Sequence, residues 1–575
     1  MRHSSLLPYW LAVLAQLTPG LASPVDQQHV DHKKHHPIPK GGHGAVASES
    51  SICSKIGIDL IAKGGSAADA MVGTTLCVGV IGMYHSGIGG GGFMLVRDRR
   101  GHYETINYRE TAPAAAFQDM YAGNENGSVF GGLAVGVPGE LKGLDHLHRK
   151  YGRLPWKDVV LPAVHVARDG FNVTEDLVRY MASATANGNT FLTDDPLWAQ
   201  DFAPNGKLLE LGEIITRKRY ANTLEKIAHQ GIDVFYKGEL AKSMIDLIQS
   251  TNGTMTLEDL AGYNVDVQRA LNVTYDKFRL FSTDAPSSGA ITTSILKTLW
   301  QYGRKDLPDV NLTTQRFVEA TKFAYGARLQ FGDPVYTTNT TDLETYLLQD
   351  STARDIRSRI LDDRTQEVEA YNPLSLYMPE SHGTSHIVTS DASGLTVSST
   401  TTINLLFGAQ IITPETGIIL NNEMDDFSQP GKNNSFGYAP SPANFIAAGK
   451  RPLSSISPLI VEHACNGTLY FATGAAGGSR IITATTQVAW NILAYGTSLH
   501  DAIAHPRLHH QLLPDTLSVE NGYDAGVVAS LQAKGHEVAW IAPGQSSAQG
   551  LMRHWDGRFE AVGETRQVNS AGYTV

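Results

Sequence analysis

A small residue directly before a threonine, where strand-forming residues begin, is the minimum a chain needs to cut itself. Gly383-Thr384 supplies that pair, inside the run Pro379-Glu-Ser-His-Gly-Thr-Ser-His-Ile-Val388. The threonine hydroxyl must reach the preceding carbonyl carbon, and a glycine there puts no side chain in its way. Attack would turn the amide into an ester by an N-to-O acyl shift, and water would then free a new amino terminus. An α-amine titrates near pH ~8 and can act as base for the hydroxyl of its own residue. One residue would supply both nucleophile and base, with no separate histidine. The dipeptide alone carries little weight, because it also fits an ordinary turn entering a strand. Its surroundings decide.

Those surroundings are elements able to position it. Residues 52–61 and 66–80 carry small and apolar residues at helical spacing, broken by Gly64-Gly65, and predict two packed helices. Ser86-Gly-Ile-Gly-Gly-Gly-Gly-Phe-Met-Leu-Val96 could cradle a phosphate only if a helix followed; a strand follows instead. The glycines therefore read as sites of close backbone approach. Residues 156–361 are mostly helical in pattern, with examples at 159–168, 221–229, 240–249, 294–301 and 314–329. After Thr384 the character changes to short strands at 384–391, 395–403 and 459–461, then helices at 479–493 and 526–534. The acidic run Glu423-Met-Asp-Asp426 fits a solvated loop or a cation site, but a Ca²⁺ loop needs more alternating oxygen ligands. We expect no metal and no cofactor.

Many segments, in order along the chain, carry a resemblance to the γ-glutamyltransferase family. They are Gly64-Gly-Ser-Ala-Ala-Asp-Ala70, Gly87-Ile-Gly-Gly-Gly-Gly-Phe-Met94, Arg109-Glu-Thr-Ala-Pro113 and Ala134-Val-Gly-Val-Pro-Gly139. Beyond the cut come Gly383-Thr-Ser-His386, Thr402-Ile-Asn404, Gly417-Ile-Ile-Leu-Asn-Asn-Glu-Met-Asp-Asp-Phe427, Arg451-Pro-Leu-Ser-Ser455 and Gly474-Ala-Ala-Gly-Gly478. Ser441-Pro-Ala-Asn-Phe445 and two matched cysteines resemble animal and fungal members more than bacterial ones.

The resemblance implies a γ-glutamyl donor such as glutathione, whose glutamyl end bears a carboxylate and an ammonium. Arg109 matches the carboxylate clamp, a task suited to a planar guanidinium. Glu423 and Asp426 match the residues that hold the ammonium, with Asn404 and Ser454 adding hydrogen bonds at the same end, while Ser455 is expected to help position the oxyanion part of the site. Thr402, eighteen residues after Thr384, is similar to the threonine that orients the nucleophile, although Thr400 and Thr401 also suit it to a plain strand. Gly477 and Gly478 match the oxyanion hole, where each amide donor is typically worth a few kcal/mol. Val388, Thr389 and Ile456 depart from frequent family residues without touching these roles. Phe436 falls in the segment matching the donor-site lid, where many bacterial relatives have tyrosine.

Composition bounds the rest. The 575 residues are 42% apolar and 18% charged, with net charge −11 and no basic stripe, which excludes a nucleic-acid partner. Residues 1–22 read as a signal peptide, cleaved or retained as an anchor, and 23–42 as an unstructured leader containing the run Asp31-His-Lys-Lys-His-His36. N-x-S/T sequons at Asn126, Asn172, Asn252, Asn272, Asn311, Asn339, Asn433 and Asn466 agree with secretion, vacuolar delivery remaining open. Cys53 and Cys77 can bridge in an oxidising compartment, leaving Cys465 as an odd, buried thiol.

The expected fold is an αββα sandwich of the N-terminal-nucleophile hydrolase type, one domain made of a large subunit (43–383) and a small subunit (384–575) that stay associated after cleavage. The expected activity passes a γ-glutamyl group to water or to amino-acid or dipeptide acceptors. The alternatives are a γ-glutamyl hydrolase or acylase with little transfer, and an inactive secreted binding glycoprotein.

Overall fold

The computed structural model describes residues 40–378, 383–435 and 437–575. The expected signal segment, all but the last residues of the expected leader, residues 379–382 and Phe436 of the expected lid lie outside the described residues.

Two sheets form the centre. The strands, in chain order, are β1 (Gly44–Ser48), β2 (Gly91–Arg97), β3 (Tyr103–Asn107), β4 (Asp266–Gln268), β5 (Leu271–Tyr275) and β6 (Phe278–Ser282). After the Gly383–Thr384 peptide come β7 (Ser385–Asp391), β8 (Thr396–Thr402), β9 (Leu459–His463), β10 (Leu469–Ala476), β11 (Ser547–Arg553), β12 (Phe559–Val562) and β13 (Ala571–Thr574). The first sheet has the order β13-β1-β7-β8-β2-β3-β4 and the second β12-β11-β10-β9-β6-β5. They pack face to face through Ala45, Ala47, Leu95 and Val388 of the first and Phe281, Ile460, Ala472 and Leu551 of the second.

Helices cover both outer faces. On the first lie α1 (Ser51–Ala62), α2 (Ala67–Ile81), α3 (Glu140–Tyr151), α4 (Trp156–Asp169), α5 (Glu175–Ala184) and α6 (Lys218–Gln230), sharing one apolar cluster with Met94, Val96, Ile106, Ile387 and Val397. On the second lie α7 (Gly289–Trp300), α8 (Val310–Arg328) and α9 (Arg480–Trp490), packed with Leu280, Val461 and Phe471. The result is the expected αββα layering.

Local sequence explains these elements. Helix α2 starts at Ser66, whose hydroxyl accepts from Asp69 N–H while the Asp69 carboxylate accepts from Ser66 N–H, a reciprocal cap worth about 1 kcal/mol. It is buried all round, and Gly73 lets it meet α1 closely. A Cys53–Cys77 disulfide joins α1 to α2. The thiol of Cys465 corrects the expectation of burial: it is exposed, because it sits in the turn between β9 and β10, outside both sheets.

The glycine run behaves as close-approach sites. A Cβ on Gly89 would overlap the Ile419 carbonyl oxygen, on Gly90 that of Thr402, and on Gly92 that of Thr400. Strand β8, Thr-Val-Ser-Ser-Thr-Thr-Thr, is wholly buried yet mostly polar. Its hydroxyls are satisfied one by one: Ser398 donates to Thr473 O at 3.2 Å, Ser399 meets Tyr108 Oη at 2.9 Å, and Thr400 meets His386 Nδ1 at 2.8 Å. Thr401 donates to the Glu140 carboxyl. A strand so satisfied is a rigid base for whatever its last residue does.

Candidate active site

That last residue is Thr402. In the register, Thr402 faces Gly91 across one ladder, and Ser385 faces Thr401 across the other, so Thr384 enters the sheet next to Thr402. The Thr402 hydroxyl donates to the Gly383 carbonyl oxygen at 2.9 Å and accepts from Asn404 N–H at 2.7 Å. The Gly477 N–H donates to Thr384 Oγ1 at 2.9 Å. The peptide between Gly383 and Thr384 is thus held at its carbonyl oxygen and at the Thr384 hydroxyl. Thr402, expected to orient the nucleophile, bonds the carbonyl that precedes Thr384. Gly383 has φ +90°, and a Cβ there would overlap the Asn404 carbonyl oxygen, so backbone conformation demands glycine.

Gly477 and Gly478, at φ 123° and 59°, form the bend between β10 and α9. A Cβ on Gly477 would come 2.6 Å from Gln545 O. The following helix directs the positive end of its dipole at the same place. Burial lowers the His386 pKa to about 3, and its ring packs between β8 and Gly474.

A second group sits just beyond the end of β3, which β2 separates from β8. The buried Arg109 guanidinium bonds Glu423 through Nη1 and Asp426 through Nη2, and its Nε reaches Pro452 O at 3.4 Å. Asn404 ties the two groups together: its Nδ2 donates to Asn422 O at 3.0 Å, directly before Glu423, while its backbone contacts Thr402. Ser454 and Ser455 lie on the same segment as Pro452. Ser454 O accepts from Ser288 Oγ at 2.6 Å, and Ser455 Oγ accepts from Arg328 Nη2 at 3.1 Å.

Two participants escaped sequence reasoning. Glu110 is fully buried, and neither carboxyl oxygen has a hydrogen-bond partner. Burial pushes it up to about 8 despite Arg109, and burial likewise raises Glu423 well above the carboxylate range. Gly136 makes the crowding possible, since a Cβ there would stand 3.0 Å from Glu110 Cβ and 3.5 Å from Glu423 Cβ. Glu110 was visible inside the Arg109–Pro113 motif, but only as the neighbour of Arg109. Arg328, at the end of α8, carried no local signal; burial lowers its pKa, and Asp426 and Arg109 are among its electrostatic neighbours.

A cavity of about 620 Å³ opens beside Thr384 and Gly477. Arg109, Asn404, Glu423, Asp426, Ser454 and Ser455 are not among its lining residues.

A threonine opening a central strand of an αββα sandwich, behind a gripped glycine carbonyl, defines an N-terminal-nucleophile hydrolase. The fold matches a cephalosporin acylase from Bacillus halodurans with TM-score 0.80 at 23% identity, over 95% of this chain and 98% of that one. The Gamma-glutamyltranspeptidase family model matches residues 53–574, and the chain belongs to that family. A glutathione hydrolase proenzyme from Arthroderma benhamiae is 50% identical over 547 residues, 93% of each chain. A glutathione hydrolase proenzyme from Escherichia coli is 34% identical over 95% of this chain and 94% of its own.

Proposed function

We propose that the chain is the proenzyme of a glutathione hydrolase and γ-glutamyltransferase that cuts itself between Gly383 and Thr384. The observation that carries this reading is the double grip on that peptide: Thr402 on the carbonyl oxygen and Gly477 on the nucleophile, both at 2.9 Å. In self-cleavage, Thr384 Oγ bonds to the Gly383 carbonyl carbon, the C–N bond breaks, and the hydroxyl proton ends on the freed amine. Water then hydrolyses the ester, leaving a carboxylate on Gly383 and an N-terminal Thr384. The large subunit ends at 383, the small one runs 384–575, and the two stay together as one domain.

In turnover the donor's α-carboxylate is taken by Arg109 and its ammonium by Glu423 and Asp426, with Asn404, Ser454 and Ser455 completing the head-group site. Thr384 Oγ attacks the γ-carbonyl, and its proton passes through the Thr384 amine to the leaving amine. The Gly477 and Gly478 amides stabilise the oxyanion, and Thr402 keeps the nucleophile in place. The γ-glutamyl ester then goes to water, or to the amine of an amino acid or dipeptide.

The same reading places the enzyme in the secretory pathway. Every sequon asparagine is exposed, and Cys53 and Cys77 are oxidised. Among the described residues, no helix is long and apolar enough to cross a membrane.

The test is N-terminal sequencing and intact mass of the purified protein, with the Thr384→Ala variant beside it. We expect a small chain beginning at Thr384, glutamate release from glutathione, and neither in the variant. An intact single chain with full activity would sink the mechanism. Glutamate release with and without glycylglycine separates transfer from simple hydrolysis.

A further inference from the structure

Arg328 closes α8 as a buried cation, and among the described residues its donors reach only uncharged groups. Its Nε donates to Ser288 Oγ at 3.1 Å and its Nη2 to Ser455 Oγ at 3.1 Å. Its Nη1 faces the Met378 thioether at 3.7 Å, a weak acceptor. Asp426 is felt through charge alone, without a hydrogen bond. A cation taken this far out of water normally sits against an opposite charge. The same face of α8 carries Tyr325, three residues earlier, whose hydroxyl donates to Ser479 O beside the Gly477-Gly478 bend. One helix turn from before the cut therefore braces two segments from after it.

The serines that Arg328 supports are half satisfied. Ser455 Oγ accepts from Arg328, and Ser454 Oγ accepts from Ile456 N–H at 3.2 Å. Among the described residues, neither hydroxyl donates its own proton to a protein acceptor. Ser288 completes the brace, accepting from Arg328 Nε and donating to Ser454 O at 2.6 Å. At its other end the segment is tied to the head-group residues. Pro452 O accepts from Arg109 Nε, and Leu453 N–H donates to Asn444 Oδ1 at 3.0 Å, while Asn444 Nδ2 donates to Asp426 O at 2.7 Å. Both Nη groups of Arg109 are meanwhile engaged by Glu423 and Asp426. A hydroxyl whose oxygen accepts from a guanidinium becomes a stronger donor through its own proton. A carboxylate entering here would meet such a hydroxyl with an unneutralised cation directly behind it. We propose that Arg328 is a positioning residue for the donor's α-carboxylate: it holds Ser455 with its proton toward that group, and supplies through Ser455 the positive charge that Glu423 and Asp426 draw from Arg109. The proposal rests on the γ-glutamyl reading above.

The test uses the mature two-chain enzyme and its Arg328→Gln and Arg328→Lys variants, each alone and with Ser455→Ala. Three anilides are compared: γ-glutamyl, 4-aminobutanoyl, which lacks the α-carboxylate, and glutaryl, which lacks the ammonium. Two ratios of kcat/KM are read, γ-glutamyl over 4-aminobutanoyl for the carboxylate and γ-glutamyl over glutaryl for the ammonium. Loss of the charge behind Ser455 is expected to lower the carboxylate ratio about tenfold in Arg328→Gln, through KM, with the ammonium ratio unmoved. Arg328→Lys keeps the charge but cannot hold both serines, and should lower it about threefold. With Ser455→Ala present, neither change should lower the ratio further. A carboxylate ratio unchanged in both variants overturns the proposal, as does an equal fall in both ratios, which marks distortion of the whole site. Losses that add to that of Ser455→Ala overturn it too. Where Arg328→Gln does not mature, Arg328→Lys decides; failure of both to mature overturns the proposal, since that makes Arg328 a residue of the fold. A wild type that cleaves none of the anilides, or all three alike, overturns the underlying reading, and the positioning role with it.

Discussion

Around Arg109 three carboxyl groups, those of Glu110, Glu423 and Asp426, face one guanidinium. When more than one of them is ionised, the surplus negative charge is what a donor ammonium would neutralise. Because burial pushes Glu110 up to about 8, it carries a proton at neutral pH and attracts an ammonium only once that proton leaves. Donor KM should therefore fall as pH rises from about 6 to about 8, and Glu110→Gln should make the profile shallower, the raised Glu423 keeping the remainder. A free α-amine on Thr384, as proposed, would act on kcat rather than on donor KM, so the two effects separate in full kinetics. The sign for stability is opposite. An acid with a raised folded pKa weakens the ligand-free fold progressively between about pH 4.5 and about pH 8. Gly383 gives a second prediction at this scale. With φ +90° and the Asn404 carbonyl against it, Gly383→Ala should slow self-cleavage about tenfold or more, read as intact chain against time on denaturing gels.

Elements show why single residues matter so much here. Gly90 lies against the Thr402 carbonyl, so Gly90→Ala must push β8 and β2 apart just where the nucleophile is gripped. In a Thr384→Ala background, which removes processing from the comparison, thermal melting should show a loss of about 1–3 kcal/mol. Replacing Cys53 and Cys77 by alanine should cost the α1–α2 pair about 3 kcal/mol by the same measurement. The helices and strands themselves were legible from periodicity and glycine breaks, usually to within a few residues. The site was legible through its motifs rather than through any local pattern, because Arg109 and Glu423 meet from 314 positions apart. What stayed hidden was what depends on packing alone. The separate partners of the β8 hydroxyls, the uncompensated Glu110 and the buried Arg328 have no signature in spacing, and the exposed Cys465 follows from a turn position that its flanking strands only hinted at.

At the scale of the whole molecule, the strand order decides what a cut can do. Strand β1, from before the cut, pairs with β13 on one side and β7 on the other, and β8 pairs with β2. The second sheet joins β9 to β6 across the same division. The two chains should therefore co-elute as one species after cleavage, separating only in denaturant, as size-exclusion chromatography would show. The interleaving also fixes an order in time. The Thr402–Gly383 contact lies within the β7–β8 hairpin, but the Gly477 contact to Thr384 needs the end of β10 in the second sheet, so the scissors are assembled by the event they record, the meeting of the two sheets. Once they close, the single-chain instruction for building the sheet is gone. Recovery from full unfolding, first-order for the precursor, becomes dependent on concentration for the mature protein, which makes maturation a one-way step written into strand order.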